Sequence, residues 1–151
     1  MSFRFDIIYE YREMFVYGAL MTLGLTAAST LGGTILGLIG ALARIIRFEK
    51  GGLPLKMLAW LIRNISLLYV TVFRGTPLFV QIFIWYFIWA VALINPVDGW
   101  LISGDLAVEL RRNYGAIIAG TLALTVNAGA YITEIFRAGI QSIDKGQIEA
   151  A

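Results

Sequence analysis

Residues 14–43 read MFVYGALMTLGLTAASTLGGTILGLIGALA, a run of 30 residues that carries no charge. A helix of this length is longer than the ~30 Å hydrocarbon core of a bilayer requires, so it can tilt or extend into the headgroups. The run also exceeds the roughly 7–15 apolar residues of a secretory signal, and acidic residues (Asp6, Glu10, Glu13) precede it. The stretch therefore predicts a membrane-spanning helix and excludes a cleavable signal peptide.

Two further charge-free runs follow, of 23 residues after Arg74 and of 21 residues after Arg112. As helices they reach ~34 and ~32 Å, which is enough to cross a bilayer. We therefore predict an all-α, polytopic membrane protein with three transmembrane helices, at about 17–42, 76–95 and 113–134.

The composition supports this class and excludes several others. Hydrophobic residues make up 59% and charged residues 15%, whereas a soluble domain carries roughly 25% charged residues. The absence of cysteine and histidine excludes disulfides, thiolate metal sites, imidazole ligands and His-dependent catalytic triads within this sequence. The net charge of +2 is too small to indicate a nucleic-acid partner.

The distribution of basic residues predicts the orientation. The segment 44–74 holds six basic residues and one acidic residue, whereas the amino-terminal arm and the 96–112 loop hold two basic residues each. By the positive-inside rule the 44–74 loop is cytoplasmic, the amino terminus lies outside and residue 151 lies in the cytoplasm.

One segment, residues 57–73, has two interpretations. It is apolar apart from four polar positions, and a further span is one option. Arg63 near its middle would cost ~2.5–3.5 kcal/mol inside the bilayer on insertion scales. A helix at the cytoplasmic interface avoids this cost and is the interpretation that we favour.

Small residues recur every fourth position in two of the predicted spans. The first carries Ser29, Gly33, Gly37 and Ala41, and the third carries a comparable series. Such stripes allow helix backbones to approach closely in lipid, so they predict helix packing. The members of the third-span series are Gly115, Ala119, Ala123 and Asn127.

The sequence FRGTPL at residues 73–78 is typical of an entry into a membrane helix. Thr76 is expected to cap the helix amino terminus, Pro77 to occupy the first helical position and Arg74 to lie in the headgroup layer. Gln81 needs a partner, since an amide inside the bilayer normally bonds across a helix interface.

Other polar residues of the spans divide into two groups. Glu134 and Arg137 are three positions apart and can pair at the cytoplasmic interface. Thr125 and Asn127, together with Gln81, are candidates for the substrate path or for helix packing, because intramembrane polar groups are costly. No charge lies at mid-span.

These motifs, in order, resemble the permease subunits of ABC importers of the polar amino acid branch. The resemblance covers about residues 15–151, although Thr71 stands where the family often has glutamate. The matching residues are Gly18, Thr22 and Leu23 in the first span; Tyr69, Phe73, Arg74, Thr76, Pro77, Leu78 and Gln81; Gly129, Ala130, Tyr131, Glu134, Phe136, Arg137, Gly139 and Ile140; and the GlyGln…GluAlaAla residues Gly146, Gln147, Glu149, Ala150 and Ala151.

The resemblance implies the fold of a type I ABC importer permease and a transport subunit, not an enzyme. Residues 138–151 then begin the segment that couples the permease to a separate ATPase, through Gly146, Gln147, Glu149, Ala150 and Ala151. The family continues beyond these alanines, so residues 1–151 are expected to be an incomplete transmembrane permease domain.

The same resemblance implies the partners and the location. They are an ABC ATPase that carries ATP and Mg, an extracytoplasmic amino-acid-binding protein, a second permease subunit of the same or a sister kind, and the lipid of a bacterial inner membrane. We expect no cofactor on this chain, which has no GxxxxGK[ST] phosphate loop. An ATP-independent secondary transporter and a passive membrane anchor are the alternatives.

Overall fold

The computed structural model describes residues 5–47 and 52–143. Apart from one isolated bridge between Ile94 and Ile102, the regular structure of these residues is helical, which confirms the all-α prediction. The elements are α1 (Phe5–Glu10), α2 (Arg12–Ile45), α3 (Leu53–Gly75), α4 (Leu78–Ile84), a π-helical segment (Trp85–Trp89), α5 (Ala90–Leu93) and α6 (Asp105–Gln141).

Three of the described helices, α2, α3 and α6, are long and apolar enough to cross a membrane. The number agrees with the prediction, and the first and third predicted spans lie inside α2 and α6. The middle span differs in its bounds: α3 qualifies with 23 residues, whereas the apolar stretch Leu78–Leu93 is shorter. The expected span at 76–95 is therefore only the second part of a longer helical path, which is interrupted around Pro77.

The helices α2 and α6 run in the same direction and pack closely. A Cβ added at Gly33 would lie 2.9 Å from the Cβ of Ala128, and one added at Gly37 would lie 2.5 Å from Cγ2 of Ile132. The predicted stripe Ser29, Gly33, Gly37 and Ala41 is buried in full. Glycines are needed here because larger side chains would force the two backbones apart.

The α6 side of this contact departs from the predicted stripe. Ala119 and Ala123 are fully buried, as expected. Further along, α2 meets Ala128, Ile132 and Thr133 instead of the next residue of the series. A repeat of four residues drifts around a helix that has 3.6 residues per turn, so the contact moves to a neighbouring face.

The helix α3 packs lengthwise against α2 and α6, in the opposite direction. The Ser66 hydroxyl donates to the Gly40 carbonyl at 2.9 Å, and three residues later the Tyr69 hydroxyl donates to the Val126 carbonyl at 2.6 Å. The carboxyl-terminal half of α3 thus follows the axes of the other long helices. This packing favours an embedded path over the in-plane interfacial helix that we expected for residues 57–73.

The path continues from α4 through the π-helical segment to α5, beside the first turns of α6. Tyr86 and Ala90 line a cavity of ≈500 Å³ together with Arg112 and Gly115. A loop then turns back to α6, which begins after Gly104 at a φ of 72°, a conformation that glycine adopts without strain. The helical path from α3 through α4 to α5 therefore leads from one end of the bundle to the other.

Candidate functional site

The break between α3 and α4 follows from a missing hydrogen-bond donor. In a continuous helix the Phe73 carbonyl would accept a bond from the backbone nitrogen of residue 77. Pro77 has no N–H, so this carbonyl is left without a helical partner. Inside an apolar bundle an unpaired carbonyl is costly, and the structure has to supply another donor.

Two side-chain amides supply it. Nε2 of Gln81 lies 2.8 Å from the Phe73 carbonyl oxygen, and Nδ2 of Asn127 lies 3.1 Å from the same atom. The two amides also bond each other, since Asn127 donates to Oε1 of Gln81 at 3.2 Å. Asn127 belongs to α6, so this amide pair ties the broken path to the neighbouring helix.

Gln81 is the buried member of the amide pair, and Asn127 is half-buried. Gln81 is 3% exposed, and its Nε2 also lies within hydrogen-bond distance of the Thr76 carbonyl and hydroxyl oxygens, at 3.0 and 2.8 Å. The predicted partner of Gln81 across a helix interface is thus present. In this arrangement Gln81 and Asn127 serve helix packing, and a contact with substrate stays a prediction.

Thr76 and Pro77 have different roles from those expected. Thr76 follows the end of α3, and its hydroxyl donates back to the Val72 carbonyl at 2.8 Å. Pro77 precedes α4, which begins at Leu78 without any side-chain capping bond. The expectation of a Thr76 cap with Pro77 in the first helical position was wrong, because the threonine hydroxyl donates to the preceding helix and accepts from the Gln81 side chain instead of from a backbone N–H of α4.

Thr125, the third intramembrane candidate, lies apart from the amide pair. A Cβ added at Gly32 would lie 2.8 Å from Cγ2 of Thr125, so this side chain packs against α2. The structure therefore brings together two of the three candidates and assigns Thr125 to the helix interface.

A cluster of charged residues lies near the carboxyl-terminal ends of α2 and α6. Arg137 donates to Oε2 of Glu134 through two nitrogens, at 2.9 and 2.7 Å, which confirms the predicted pair. Arg44, at the end of α2, donates to Oε1 of the same carboxylate at 2.5 Å. Each oxygen of Glu134 thus faces one arginine, and the carboxylate links α2 to α6. We call Arg44, Glu134 and Arg137 the carboxylate clamp.

Arg74 extends toward this clamp without joining it. Its guanidinium carbon lies 5.1 Å from the ring centroid of Tyr131, a cation–π geometry. The end of α3 lies close to Asn127, as the bond to the Phe73 carbonyl shows. The Arg74 side chain extends from there to Tyr131, which precedes Glu134 by three residues, so its charge lies near the clamp. Its expected position in the headgroup layer stays a prediction.

The proposed coupling residues lie outside the described part of the chain. These are Gly146, Gln147, Glu149, Ala150 and Ala151, which follow the last described residue, Ile143. Their role therefore rests on the sequence motif.

Two contributors to these sites were missed in the sequence. The first is Arg44, which bonds the predicted residue Glu134. Arg44 follows the first charge-free run and Glu134 follows the third, and both predicted spans end on the same side of the membrane, which was the available signal for this pairing. The Phe73 carbonyl gave a weaker signal, because the loss of its bond follows from proline four residues later.

Helices with apolar outer surfaces, joined by small-residue contacts and by the amide pair, define a polytopic helical membrane protein. Residues 33–151 match the family described as binding-protein-dependent transport system inner membrane component. The chain belongs to this family.

Individual relatives agree with the family. A putative glutamine transport system permease protein of Rickettsia conorii is 30% identical over 90% of this chain and 50% of its own length. The glutamine transport system permease protein of Escherichia coli is 30% identical over 99% of this chain and 56% of its own length. The chain thus spans about half the length of the curated relatives it matches.

A solved structure agrees as well. The crystal structure of an amino acid ABC transporter with histidines has a TM-score of 0.66 and 31% identity to this chain. The alignment covers 100% of this chain and 57% of the other. The chain is therefore similar in fold to a component of that transporter.

Proposed function

We propose that this chain contributes the membrane-spanning part of an ATP-driven importer for polar amino acids in a bacterial inner membrane. The observation that carries the proposal is the match of residues 33–151 to a family of transport-system inner membrane components. The names of the glutamine permeases of Escherichia coli and Rickettsia conorii point to the substrate class.

The energy source in this proposal is a separate ATPase subunit, which binds ATP and Mg. Residues 146–151 would form part of the surface that docks on it, with Glu149 offering a charge to basic groups of the partner. Closure of the ATPase would then move packed helices and expose the substrate-binding route to alternate sides of the membrane. An external binding protein would deliver the amino acid, and a second permease subunit would complete the pathway.

The break at Pro77 suits such a movement. Only side-chain amides, and no continuous helical ladder, join α3 to α4 at the Phe73 carbonyl. Bonds between side chains and backbone can be exchanged with less disruption than a buried helical turn. The proposed orientation puts the carboxylate clamp at the cytoplasmic end and the amino terminus outside, because Arg44, Arg47 and Arg63 of the basic segment lie around the clamp.

The test uses the full-length protein in proteoliposomes, with its ATPase and its binding protein. Glu149→Lys is expected to lower ATP-dependent glutamine uptake by roughly 30-fold or more, because breaking a desolvated charge contact costs about 2–5 kcal/mol. Glu109→Lys, the same charge change at an exposed position near the start of α6, is the matched control and is expected to retain uptake.

Three results would contradict parts of this proposal. Unchanged uptake by Glu149→Lys would show that this residue does not couple transport to the ATPase. Uptake that survives ATP depletion and is lost with ionophores would indicate a secondary transporter. Labelling of residues 146–151 from the external side would remove them from the reach of any ATPase.

A further inference from the structure

A cationic cleft lies beside the carboxylate clamp, where the ends of α2 and α6 meet α3. Its volume is ≈460 Å³. Arg44, Arg47, Arg63 and Arg137 line it, together with the apolar side chains of Leu67 and Ile140. Four guanidinium groups around one opening create a strongly positive potential, which attracts an anion.

The charge of the cleft is balanced only in part by the described residues. Glu134 neutralises one charge while it bonds both Arg44 and Arg137. Within residues 5–47 and 52–143, Arg47 and Arg63 form no ion pair. Both side chains are exposed at the rim of the cleft. A ligand with a negative charge and several hydrogen-bond acceptors would complement this arrangement.

An apolar groove lies at a neighbouring level of the bundle and is lined mainly by α2 and α3. Its volume is ≈380 Å³, and Leu36, Ile39, Ala43, Ile62 and Ile65 are among its lining residues. Ala43 and Ile62 in the groove immediately precede Arg44 and Arg63 in the cleft. The groove therefore begins at the depth of the arginines and extends from there along α2 toward Leu36.

A cationic cleft and an apolar groove at neighbouring levels of the same helices suit an amphiphilic ligand. We propose that the cleft binds the phosphate-bearing headgroup of an anionic phospholipid, and that an acyl chain of the same lipid occupies the apolar groove. Basic pockets between membrane helices bind such headgroups through arginine and lysine. A free phosphate would satisfy the cleft but would leave the groove empty, and the two sources of phosphate can be separated by experiment.

The experiment measures lipid binding to the full-length protein in neutral detergent micelles by native mass spectrometry. Phosphatidylglycerol is compared with phosphatidylcholine of the same acyl chains, and glycerol phosphate serves as the headgroup without a tail. The test variant is Arg47→Gln with Arg63→Gln, which leaves the carboxylate clamp intact. Arg111→Gln with Arg112→Gln, which removes two charges near the start of α6, is the matched control.

We expect the unmodified protein to bind phosphatidylglycerol in preference to phosphatidylcholine. A basic residue near an anionic headgroup contributes about fivefold in affinity, so the test variant should bind phosphatidylglycerol roughly 25-fold more weakly. The control should bind like the unmodified protein. Added salt should reduce the difference, because the contacts are electrostatic.

Two outcomes would overturn the inference. Equal affinity of the test variant and the unmodified protein for phosphatidylglycerol would show that these arginines bind no lipid, for example because another protein segment fills the cleft. If glycerol phosphate bound as tightly as phosphatidylglycerol, the acyl chain would add nothing, and the cleft would be a site for free anions. The single variants Arg47→Gln and Arg63→Gln separate a local effect from misfolding, since each is expected to lose about fivefold.

Discussion

The close approach of α2 and α6 makes a sharp prediction for Gly37. In the variant Gly37→Ala the new methyl carbon would lie 2.5 Å from Cγ2 and 2.7 Å from Cβ of Ile132. Carbon atoms prefer separations of about 3.5–4.0 Å, so the helices must part by roughly 1 Å. Ile132 cannot easily turn aside, because the contact includes its β-carbon and its side chain is stiff.

The matched control is Gly24→Ala, in the same helix, where an added Cβ meets nothing within 4 Å. Both variants gain the same helix propensity, ~1 kcal/mol, so that gain cancels in the comparison. What remains is the overpacking cost, about 1–3 kcal/mol. We therefore expect Gly37→Ala to be less stable than Gly24→Ala by this amount.

The assay is reversible unfolding of the full-length protein in mixed micelles with increasing sodium dodecyl sulfate, followed by circular dichroism. If the two variants unfold at the same detergent fraction, with equal free energies, the contact between Gly37 and Ile132 is not tight and the reasoning fails. A smaller residue at the contact should relieve the strain, so Ile132→Val is expected to recover part of the stability in the Gly37→Ala background.

Two further predictions concern the polar sites. Asn127→Ala should cost about 1–2 kcal/mol of unfolding free energy, since it removes one donor to the Phe73 carbonyl, and Pro77→Ala should make that cost smaller because the new N–H can bond the same oxygen. The four proteins of this double-mutant cycle are compared by the same unfolding assay, and strictly additive effects would contradict the capping role of Asn127. Glu134→Gln should cost about 1–3 kcal/mol, between the values for exposed and buried ion pairs, since the clamp side chains are only 19% exposed on either side of the Arg44 bond. Glu109→Gln on the same helix should stay within about 0.5 kcal/mol, and an equal loss in both variants would show that the clamp adds no stability.

Two regions of the bundle are held together by different kinds of contact. Around Gly33, Gly37 and Gly40 the contacts between α2 and α6 are backbone-close. At the break the contact depends on the Gln81 and Asn127 amides. The packed pair α2 and α6 is therefore expected to move as a unit, while the path through α4 and α5 can adjust around it.

The sequence by itself determined the class of this protein and much of its local chemistry. Runs of more than 20 uncharged residues can be accommodated only by an apolar solvent, so the spans were visible without any tertiary information. The small-residue stripe of α2 and the pair of Glu134 and Arg137 also follow from helical spacing alone, and both are present.

The tertiary structure decided the register between helices, and with it both polar sites. Asn127 reaches the Phe73 carbonyl across 54 residues of chain, and Arg44 reaches Glu134 across 90. Which residues meet depends on how far α2 and α3 slide along α6, and that is set by the fit of glycines against specific side chains. Local spacing carries no such information, so the capping role of Thr76 was predicted wrongly, and the lengthwise packing of residues 57–73 against α2 and α6 was not foreseen.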